Sequence, residues 1–394
     1  MIGLALVLCA IPVLVACGYL GFLALAARRL PERPRGTARI KFDLVVPAHD
    51  EETGIAATLR SLAALDYPKQ LFRVLVVADN CSDRTAEVAA AEGAVVLVRN
   101  EPTLRGKGYA LARAFEQSAK DAFAEAVVVI DADTSVSPAL LRGFAAGLEA
   151  KEEALQADYA VRNPSASWRT RLMHIALSAF HVERSLARER LGLSAGLRGN
   201  GMCFTHALLR AFPWNALSIV EDVEFGIRLG EGGRRVAYVD EEHVYGEMVS
   251  SASASGPQRR RWEDGRKQLV REKGPRLLRL AFTRKSGMLL DLALDLYVPP
   301  LARLAFVVSA GLCASGACVL FLHQGQVALF AWAFAALLLA AHVARGWQLS
   351  GTGAAGLLDL LRVPTYMLWK ARLLFGARGR SQEWVRTARQ EKAP

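Results

Sequence analysis

Three long apolar runs constrain this chain more strongly than any other feature of its sequence. Residues 2–27 contain no charged side chain, and two later apolar runs, 304–322 and 327–344, are joined by a turn without lysine or arginine. A helix of about 20 apolar residues crosses the hydrocarbon core of a bilayer, where every backbone polar group needs an internal partner. The sequence therefore predicts a transmembrane helix over residues 1–29 and a transmembrane hairpin over residues 303–345.

Basic residues at the ends of these runs predict their orientation. Arg28 and Arg29 directly follow the first run, Arg303 precedes the hairpin and Arg345 follows it. Lysine and arginine collect on the cytosolic side of membrane spans, so we expect the N-terminus outside and the region before the hairpin in the cytosol. A signal peptide would carry positive charge before its apolar run, and this run has none. With the richness in Ala and Arg, these features predict an integral protein of the bacterial inner (cytoplasmic) membrane.

Two further segments are apolar but interrupted by charges. Residues 284–302 carry Asp291 and Asp295 about one helical turn apart, and residues 353–394 combine an apolar stretch with a basic face. Helices of this kind lie in the plane of the membrane surface rather than crossing it. We therefore expect an interfacial helix over the first segment. We expect an interfacial helix and a basic cytosolic tail over the second, with membrane lipids as partners of both.

The charge balance narrows the class of partner. The chain has 49 Lys and Arg against 38 Asp and Glu, a formal net charge of +11, and a mean hydropathy of +0.20. Excess positive charge suits nucleic acid, anionic lipid or a phosphate-bearing substrate, and the apolar composition disfavours nucleic acid. The six cysteines form no Cys-x-x-Cys pair, which favours reduced structural thiols. We expect no nucleic-acid partner.

Residues 40–270 alternate short β-branched runs with amphipathic helical runs. This alternation predicts an α/β domain with a mostly parallel sheet and helices on both faces, and such sheets bind ligands beyond the carboxyl ends of their strands. The polar positions that follow the predicted strands are His49-Asp50-Glu51, Asp79-Asn80, Asn100-Glu101 and Asp131-Ala132-Asp133. No strand is followed by a GxGxxG or GxxxxGK(S/T) motif, so dinucleotide and P-loop chemistry are not supported.

Two sites in this region have the chemistry of phosphate and metal binding. Asp131 and Asp133 put two carboxylates at a strand end with no basic neighbour in sequence, which is costly unless a cation binds there. Carboxylates plus substrate phosphates are the usual ligands of Mg²⁺, and Mn²⁺ accepts the same set; a solvated turn is the alternative. Lys107, between two glycines at a predicted helix N-terminus, suits a diphosphate or forms an ordinary helix entry.

Seven short motifs occur in a fixed order along the domain. They are VVPAHDEE (45–52), VVADNCSDRT (76–85), LRGKGYAL (104–111), VVIDADT (128–134), GNGMCF (199–204), IVEDVEFGIRL (219–229) and QRRRW (258–262). In this order they resemble the inverting glycosyltransferases of family 2, in particular the membrane-bound branch of cellulose, chitin and hyaluronan synthases and ceramide glucosyltransferase. The resemblance implies a cytosolic GT-A (Rossmann-like) domain, a nucleoside-diphosphate sugar donor, most often UDP-linked, and a divalent metal, Mg²⁺ or Mn²⁺.

The resemblance assigns the donor side of the site to individual residues. Asp79 matches the aspartate that contacts the nucleotide base, and Glu51 belongs to the first nucleotide-sugar motif. Lys107 lies where a basic residue meets the nucleotide or its diphosphate. Asp131 and Asp133 match the DxD pair, in which Asp133 is the expected direct metal ligand.

The acceptor side follows from the later motifs. Asp222 matches the catalytic base of the family, whereas the residues alone also allow it to be a helix N-terminal cap. Gln258, Arg261 and Trp262 match the QxxRW motif that closes over the donor diphosphate and the acceptor sugar. Gly201, in the GNGM stretch, would let the backbone approach the acceptor.

The nature of the acceptor stays open at the level of sequence. One base and a direct displacement invert the anomeric centre, so an α-linked donor gives a β-linked product. We expect a growing β-glycan, because Trp168 and several arginines in residues 161–200 suit a sugar chain. The alternative is transfer of one sugar to a ceramide, a diacylglycerol or a polyprenyl phosphate, since only two predicted spans follow the domain. A channel between subunits would make the protein a homo-oligomer. An inactive membrane scaffold is a further alternative, which the intact motif residues disfavour.

Overall fold

The computed structural model describes residues 2–31, 33–246 and 252–363, without the side chains of residues 252–261. The chain divides into two compact units. The sheet unit is formed by Arg29–Asn163 and Gly192–Leu292, and the helical unit by Pro164–Leu191 together with residues 2–28 and 293–363.

The strands all lie in the sheet unit, and most of the long apolar helices lie in the helical unit. The strands are β1 (Phe42–Ala48), β2 (Phe72–Asp79), β3 (Val95–Arg99), β4 (Ala126–Val129), β5 (Ser135–Val136), β6 (Ala154–Val161), β7 (Met202–Thr205) and β8 (Ala237–Gly246). The helices are α1 (Ile2–Ala26), α2 (Ile55–Ala63), α3 (Thr85–Ala91), α4 (Lys107–Asp121), α5 (Leu140–Glu149), α6 (Trp168–Leu177), α7 (Arg184–Arg190), α8 (His206–Ala211), α9 (Glu221–Glu231), α10 (Ala252–Thr283), α11 (Gly287–Tyr297), α12 (Leu301–Leu322), α13 (Gln326–Ser350) and α14 (Gly353–Leu360).

One half of the sheet is parallel and matches the pattern in the sequence. The strand order is β3-β2-β1-β4-β7-β6-β8-β5, and the first four strands run parallel to one another. Every residue of β1 is buried, as expected for a strand covered by helices on both faces. The carboxyl ends of these strands therefore meet at one edge, and the polar residues that follow them are brought together there.

The other half of the sheet is mixed, unlike the mostly parallel sheet that the sequence predicted. β7 runs antiparallel to β4 and to β6, while β8 is parallel to β6 and antiparallel to β5. The α/β fold class is confirmed, but these later strands were not predicted. Their polar residues obscure the apolar pattern: Gln156 and Asp158 are buried within β6 because the fold gives them partners.

A cluster of aromatic side chains fixes two helix N-termini against the sheet. The ring of Trp214 lies 4.6 Å from that of Phe225 on α9, and Phe204 on β7 lies 5.4 Å from Phe225. The indole nitrogen of Trp214 donates to the carbonyl of Gly108 at 3.1 Å, in the first turn of α4. Buried aromatic pairs of this kind contribute about 0.5–1.5 kcal/mol each beyond the area they bury. The starts of α4 and α9 are therefore held by one packed core.

The helical unit contains three helices, among the described residues, that are long and apolar enough to cross a membrane. They are α1, α12 and α13, with mean hydropathies of 2.4, 2.2 and 2.2 over their most apolar windows. The helices coincide with the runs predicted at 1–29 and 303–345. α11 lies within the segment 284–302 and α14 at the start of 353–394, so both segments begin as helices; their contact with a membrane surface stays a prediction. Residues 364–394 lie outside the described part.

Buried polar pairs join the helices of this unit. Glu183 and His342 lie 2.6 Å apart and are both almost fully buried. Arg188 donates to the hydroxyl of Tyr19 at 2.6 Å and pairs with Asp295 at 2.9 Å. Buried charges that keep partners of this kind avoid the large cost of an unpaired charge. The pairs therefore join α7 to α1 and α11, and they join the segment that precedes α7 to α13.

Candidate active site

The nucleotide end of the site is built around Asp79, the last residue of β2. Its side chain is completely buried, and Oδ1 accepts hydrogen bonds from Arg99 at 2.5 Å and from Asn80 at 3.1 Å. Its other oxygen, Oδ2, is buried and has no hydrogen-bond partner among the described residues. A buried carboxylate oxygen left in this state costs about 1–3 kcal/mol. It is therefore suited to accept an N–H group from a ligand.

The loop after β1 lies beside Asp79, as the parallel register requires. His49 Nδ1 donates to the backbone carbonyl of Asp79 at 2.7 Å. The backbone N–H of Glu51 donates to the hydroxyl of Thr85 at 2.7 Å. The structure therefore brings two of the residues predicted to bind the nucleotide, Glu51 and Asp79, to the same edge of the sheet.

A compact acidic group in the same loops has the spacing of metal ligands but is already hydrogen-bonded. Asp50, Cys81 and Asp83 bring their ligand atoms within 4.8 Å of one another. Asp50 accepts from the backbone of Ser82 at 2.7 Å, and Asp83 accepts from the backbone of Glu52 at 3.0 Å. These carboxylates stabilise the loop conformation, so we assign no metal to them.

The centre of the site forms around Lys107, the first residue of α4. Its ammonium group contacts Asp131 and donates to the carbonyl of Gly199 at 2.6 Å. Asn200 holds the loop beneath by accepting from the backbone of Asp131 at 3.1 Å and donating to Thr134 at 2.8 Å. Lys107 and Asp131, which the sequence placed in separate motifs, thus form one ion pair.

Asp222 joins this centre from the N-terminus of α9. A side chain at Gly199 would have its Cβ 3.5 Å from Asp222 Oδ2 and 3.6 Å from Lys107 Nζ. Gly199 also has a φ of +77°, which L-residues rarely adopt. The backbone conformation therefore favours glycine here, at a position next to the Asp222 carboxylate and the Lys107 ammonium group.

Burial raises the pKa values of the two acids at the start of α9. Burial raises the pKa of Asp222 above its usual value, with Lys107 and Arg198 opposing the rise. Burial likewise raises the pKa of Glu221 to about 8, again against the effect of Lys107. Burial alone would lower the pKa of Lys107, but the surrounding carboxylates outweigh it and the pKa rises. The site thus keeps a charged lysine beside acids that take up protons more readily than usual, a pattern common at functional sites.

Asp131 and Asp133 have the donor set of a site that shares a divalent cation with phosphates. The pKa of Asp131 is raised, first by burial and also by the charge of Asp133, although Lys107 opposes the rise. Two carboxylates that act on each other in this way favour a cation between them. They provide only part of a coordination shell, which suits Mg²⁺ or Mn²⁺ bound together with phosphate oxygens and water. The residues present therefore fit such an ion.

The structure describes the side chains of only some of the residues predicted to bind the acceptor. Trp262 on α10 is 54% exposed. Gln258 and Arg261 belong to the same helix, but their side chains lie outside the described part. Gly201 donates to the carbonyl of Val129 at 2.9 Å and accepts from the backbone of Ala157 at 2.8 Å. The contacts of Gly201 are those of a sheet residue, and the acceptor role of all four stays a prediction.

Some residues that build the site carried no signal strong enough to be predicted. Arg99 fixes Asp79, and a charged residue ending the apolar strand VVLVR was its one sign. Gln156 accepts from the backbone of Arg198 at 2.9 Å and donates to the carbonyl of Asn200 at 2.7 Å. A fully buried glutamine has no period or motif to mark it, so only the fold reveals that it supports the 198–201 loop.

Several known proteins resemble this chain in sequence. A beta-monoglucosyldiacylglycerol synthase from Synechocystis sp. is 31% identical over 231 residues, which is 56% of this chain and 47% of that protein. A probable glycosyltransferase, YdaM of Bacillus subtilis, is 26% identical over 239 residues, 58% of this chain and 56% of that protein. The chain thus spans about half the length of the curated relatives it matches.

A solved structure extends the likeness of fold beyond the sheet unit. The mannosyltransferase PcManGT from Pyrobaculum calidifontis, in complex with GDP-Man and Mn²⁺, has a TM-score of 0.55 and 17% sequence identity. The alignment covers 94% of this chain and 98% of that one. At this identity the likeness shows a common fold, that of the GT-A glycosyltransferases.

The family follows from a match that includes the site itself. The model of the family described as "Glycosyltransferase like family 2" matches residues 39–265, more than half of the 394 residues. That range contains Asp79, Lys107, Asp131 and Asp133, as well as Asp222. The chain therefore belongs to glycosyltransferase family 2.

Proposed function

We propose that this protein transfers one sugar, with inversion, from a nucleoside-diphosphate sugar to a hydroxyl group of a membrane lipid. The observation that carries the proposal is the group of Asp222, Lys107 and Asp131 around Gly199. A carboxylate base and a cation beside a pair of acids are what transfer from a diphosphate leaving group requires.

The donor we propose is UDP-linked. The buried Oδ2 of Asp79 can accept an N–H of a nucleotide base, which the N3–H of uracil would supply. The ion pair with Arg99 fixes the carboxylate in the orientation that such a contact needs. The diphosphate would then lie over Lys107 and the strand end at Asp131, as the direction of the parallel strands favours.

A divalent cation is part of the proposal, with Asp133 and Asp131 as its protein ligands. When bound there, it supplies Lewis-acid stabilisation of the charge that develops on the leaving diphosphate. Lys107 adds a second positive charge from the protein, and its contact with the Gly199 carbonyl keeps it directed into the site.

Asp222 is the proposed base. It removes the proton of the acceptor hydroxyl while the oxygen attacks the anomeric carbon and the bond to the diphosphate breaks. The proton ends on the carboxylate, and the electron pair of the broken bond ends on the diphosphate. Burial raises the pKa of Asp222, which makes it a stronger base than an exposed aspartate.

The acceptor is proposed to be a lipid because of the helices and the relatives. Three helices in the described part of the chain are apolar enough to cross a membrane, and the Synechocystis relative is named as a beta-monoglucosyldiacylglycerol synthase. The β-glycan expected from the sequence is the second candidate. The exposed ring of Trp262 favours it, because an aromatic face can stack on a sugar.

Orientation completes the proposal. The charges that flank the three apolar helices favour a sheet unit on the cytosolic face of a bacterial inner membrane, where nucleotide sugars are made. Acceptor lipids would reach the site from the same leaflet.

The test uses the full chain in detergent or native membranes with a panel of UDP-sugars. Diacylglycerol, ceramide and polyprenyl phosphate are added separately, and both UDP release and the mass of each lipid are measured. We expect UDP release to match formation of a lipid that carries one β-linked sugar. A ladder of longer products would establish the glycan candidate instead. An absence of nucleotide release with every pair of donor and acceptor would overturn the proposal.

A further inference from the structure

Asp158 and His243 form a hydrogen-bonded ion pair in the mixed half of the sheet. His243 Nδ1 lies 2.8 Å from Asp158 Oδ2, and the hydroxyl of Tyr238 donates to Asp158 Oδ1 at 2.8 Å. The side chain of Asp158 is 8% exposed, whereas that of His243 is 35% exposed. Both oxygens of a buried acid are thus used to orient a histidine that reaches the surface.

An irregularity in β8 creates this pair. The register between β6 and β8 shifts after Ala157, where the partner strand moves from Val239 opposite Ala157 to His243 opposite Asp158. Bulges of this kind often redirect a side chain near an active site. An unshifted register would place Asp240 opposite Asp158, whereas the shift places an imidazole opposite this buried acid.

The pair lies on the side of the sheet that faces the catalytic residues. Gln156 accepts from the backbone of Arg198, and Asp158, two residues further along β6, projects from the same face. Arg198 acts electrostatically on both Asp222 and Tyr238. Gln156 is paired with Met202, which shares a core with Phe225 of α9, so Asp158 lies on the face of the sheet that packs against α9.

The neighbouring strand pair brings the same surface close to the metal ligands. Tyr245 is paired with Ser135 in β5, two residues beyond Asp133 in the chain. The ring of Tyr245 lies 5.7 Å from that of His243. The backbone of Tyr245 therefore lies beside the segment that follows the DxD pair.

We propose that His243, oriented by Asp158, is part of the acceptor-binding subsite and donates its Nε2–H to a hydroxyl oxygen of a neutral polyol head group. The proposal rests on the proposed glycosyl transfer and names the chemistry of its acceptor. Within the described ranges the Nε2 atom of His243 has no hydrogen-bond partner, so its N–H group is available to a ligand.

The charges around the pair favour a neutral ligand over a phosphate. The hydrogen bond to Asp158 raises the pKa of His243, and Asp240 and Glu242 raise it further. An imidazolium held among carboxylates is a good hydrogen-bond donor, but the carboxylates repel a phosphate oxygen. The chemistry therefore suits glycerol, a sugar or another polyol whose hydroxyls accept from Nε2 and lie against the Tyr245 ring.

The test compares His243→Leu, His243→Gln and Asp158→Asn in the full chain with diacylglycerol as acceptor. His243→Leu removes the N–H group and should raise KM for the lipid acceptor about tenfold to a hundredfold. The kcat and the KM for the nucleotide sugar should change little. His243→Gln restores an N–H donor and should recover part of the loss, and Asp158→Asn should fall between them. His323→Gln, an exposed histidine in the turn before α13, is the matched control.

Three results would count against the inference. The acceptor KM could be unchanged in His243→Leu while UDP binding shows that the variant is folded. The donor KM could rise as much as the acceptor KM. Wild type could prefer polyprenyl phosphate to diacylglycerol. A wild-type protein that releases no UDP at all would instead overturn the proposed function, so the two failures are distinguishable. If His243→Leu does not fold, the same comparison is made with His243→Met, which also lacks an N–H donor.

Discussion

The two halves of the sheet solve different problems with similar residues. In the parallel half, Asp79 is paired with Arg99, a residue of the adjacent strand, and both are almost fully buried. In the region where the sheet becomes mixed, Asp131 is paired with Lys107. This pair lies near the acids at the start of α9, whose pKa values are raised. The first pair joins two strands inside the sheet, whereas the second joins a helix N-terminus to a strand end and is partly exposed.

The choice of cation explains the difference. Arginine stays charged and holds a carboxylate in a planar geometry, while lysine is a compact charge whose partners can be replaced. A site that recognises a nucleotide base needs a rigid hydrogen-bond acceptor. A site that neutralises a leaving group needs charges that respond to a ligand. We therefore expect changes in the parallel half to alter donor binding and changes at the junction with the mixed half to alter turnover.

The largest effect is expected from loss of the metal ligand. Asp133→Asn, or addition of excess chelator to wild type, should lower kcat by about 10³-fold, because a bound cation contributes several kcal/mol of stabilisation to the transition state. UDP release at saturating donor is the measurement, and Asp264→Asn, an exposed change on α10, is the control. Full turnover in excess chelator would show that the acids of this region serve another purpose.

The proposed base comes next. Asp222→Asn keeps the shape of the side chain but cannot accept a proton, so kcat should fall at least ~10²-fold. Binding of UDP, followed by calorimetry, should remain close to that of wild type, because Asp79 is untouched. Glu224→Gln, on the same helix and hydrogen-bonded to Ser218, is the matched control. Near-normal transfer by Asp222→Asn would move the role of base to Glu221.

The nucleotide pair gives an effect of a different kind. Arg99→Leu leaves the buried Asp79 without its cation, which costs about 3–5 kcal/mol of stability. The donor KM should also rise, with little change in kcat. Adding Asp79→Asn to Arg99→Leu should restore much of the stability. It should not restore binding of the nucleotide sugar, because the carboxylate that accepts a hydrogen bond from the nucleotide base is gone. Arg113→Leu, a partly exposed surface arginine, is the control. A fall in kcat alone would remove the distinction between the two halves.

The sequence predicted the parallel half far better than the mixed one. The strands before Asp79 and Asp131 are short apolar runs with polar ends, and parallel pairing alone brings those ends together. Asp222 and Gly199 are about 90 and 70 residues from Asp131 in the chain, so their meeting depends on the long-range packing of β7 and α9. Family resemblance placed Asp222 in the site, whereas Gln156 and the Asp158–His243 pair had no local pattern. Buried polar residues are visible only once their partners are known.

The smallest predicted effect concerns the pH dependence of stability. Burial raises the pKa of Glu221 to about 8 from an ordinary value of 4.5. In the unfolded chain the acid is already ionised above its ordinary pKa, whereas the folded protein keeps it protonated until about pH 8. Its contribution to stability is therefore complete below pH 4.5 and is lost as the pH rises through this window. Glu221→Gln has no proton to lose, so its thermal midpoint relative to wild type should rise from pH 5 to pH 8 by a few degrees. Glu116→Gln, an exposed acid on α4, should show no such trend. A constant difference between Glu221→Gln and wild type across this range would mean that Glu221 is already ionised in the folded protein at pH 5.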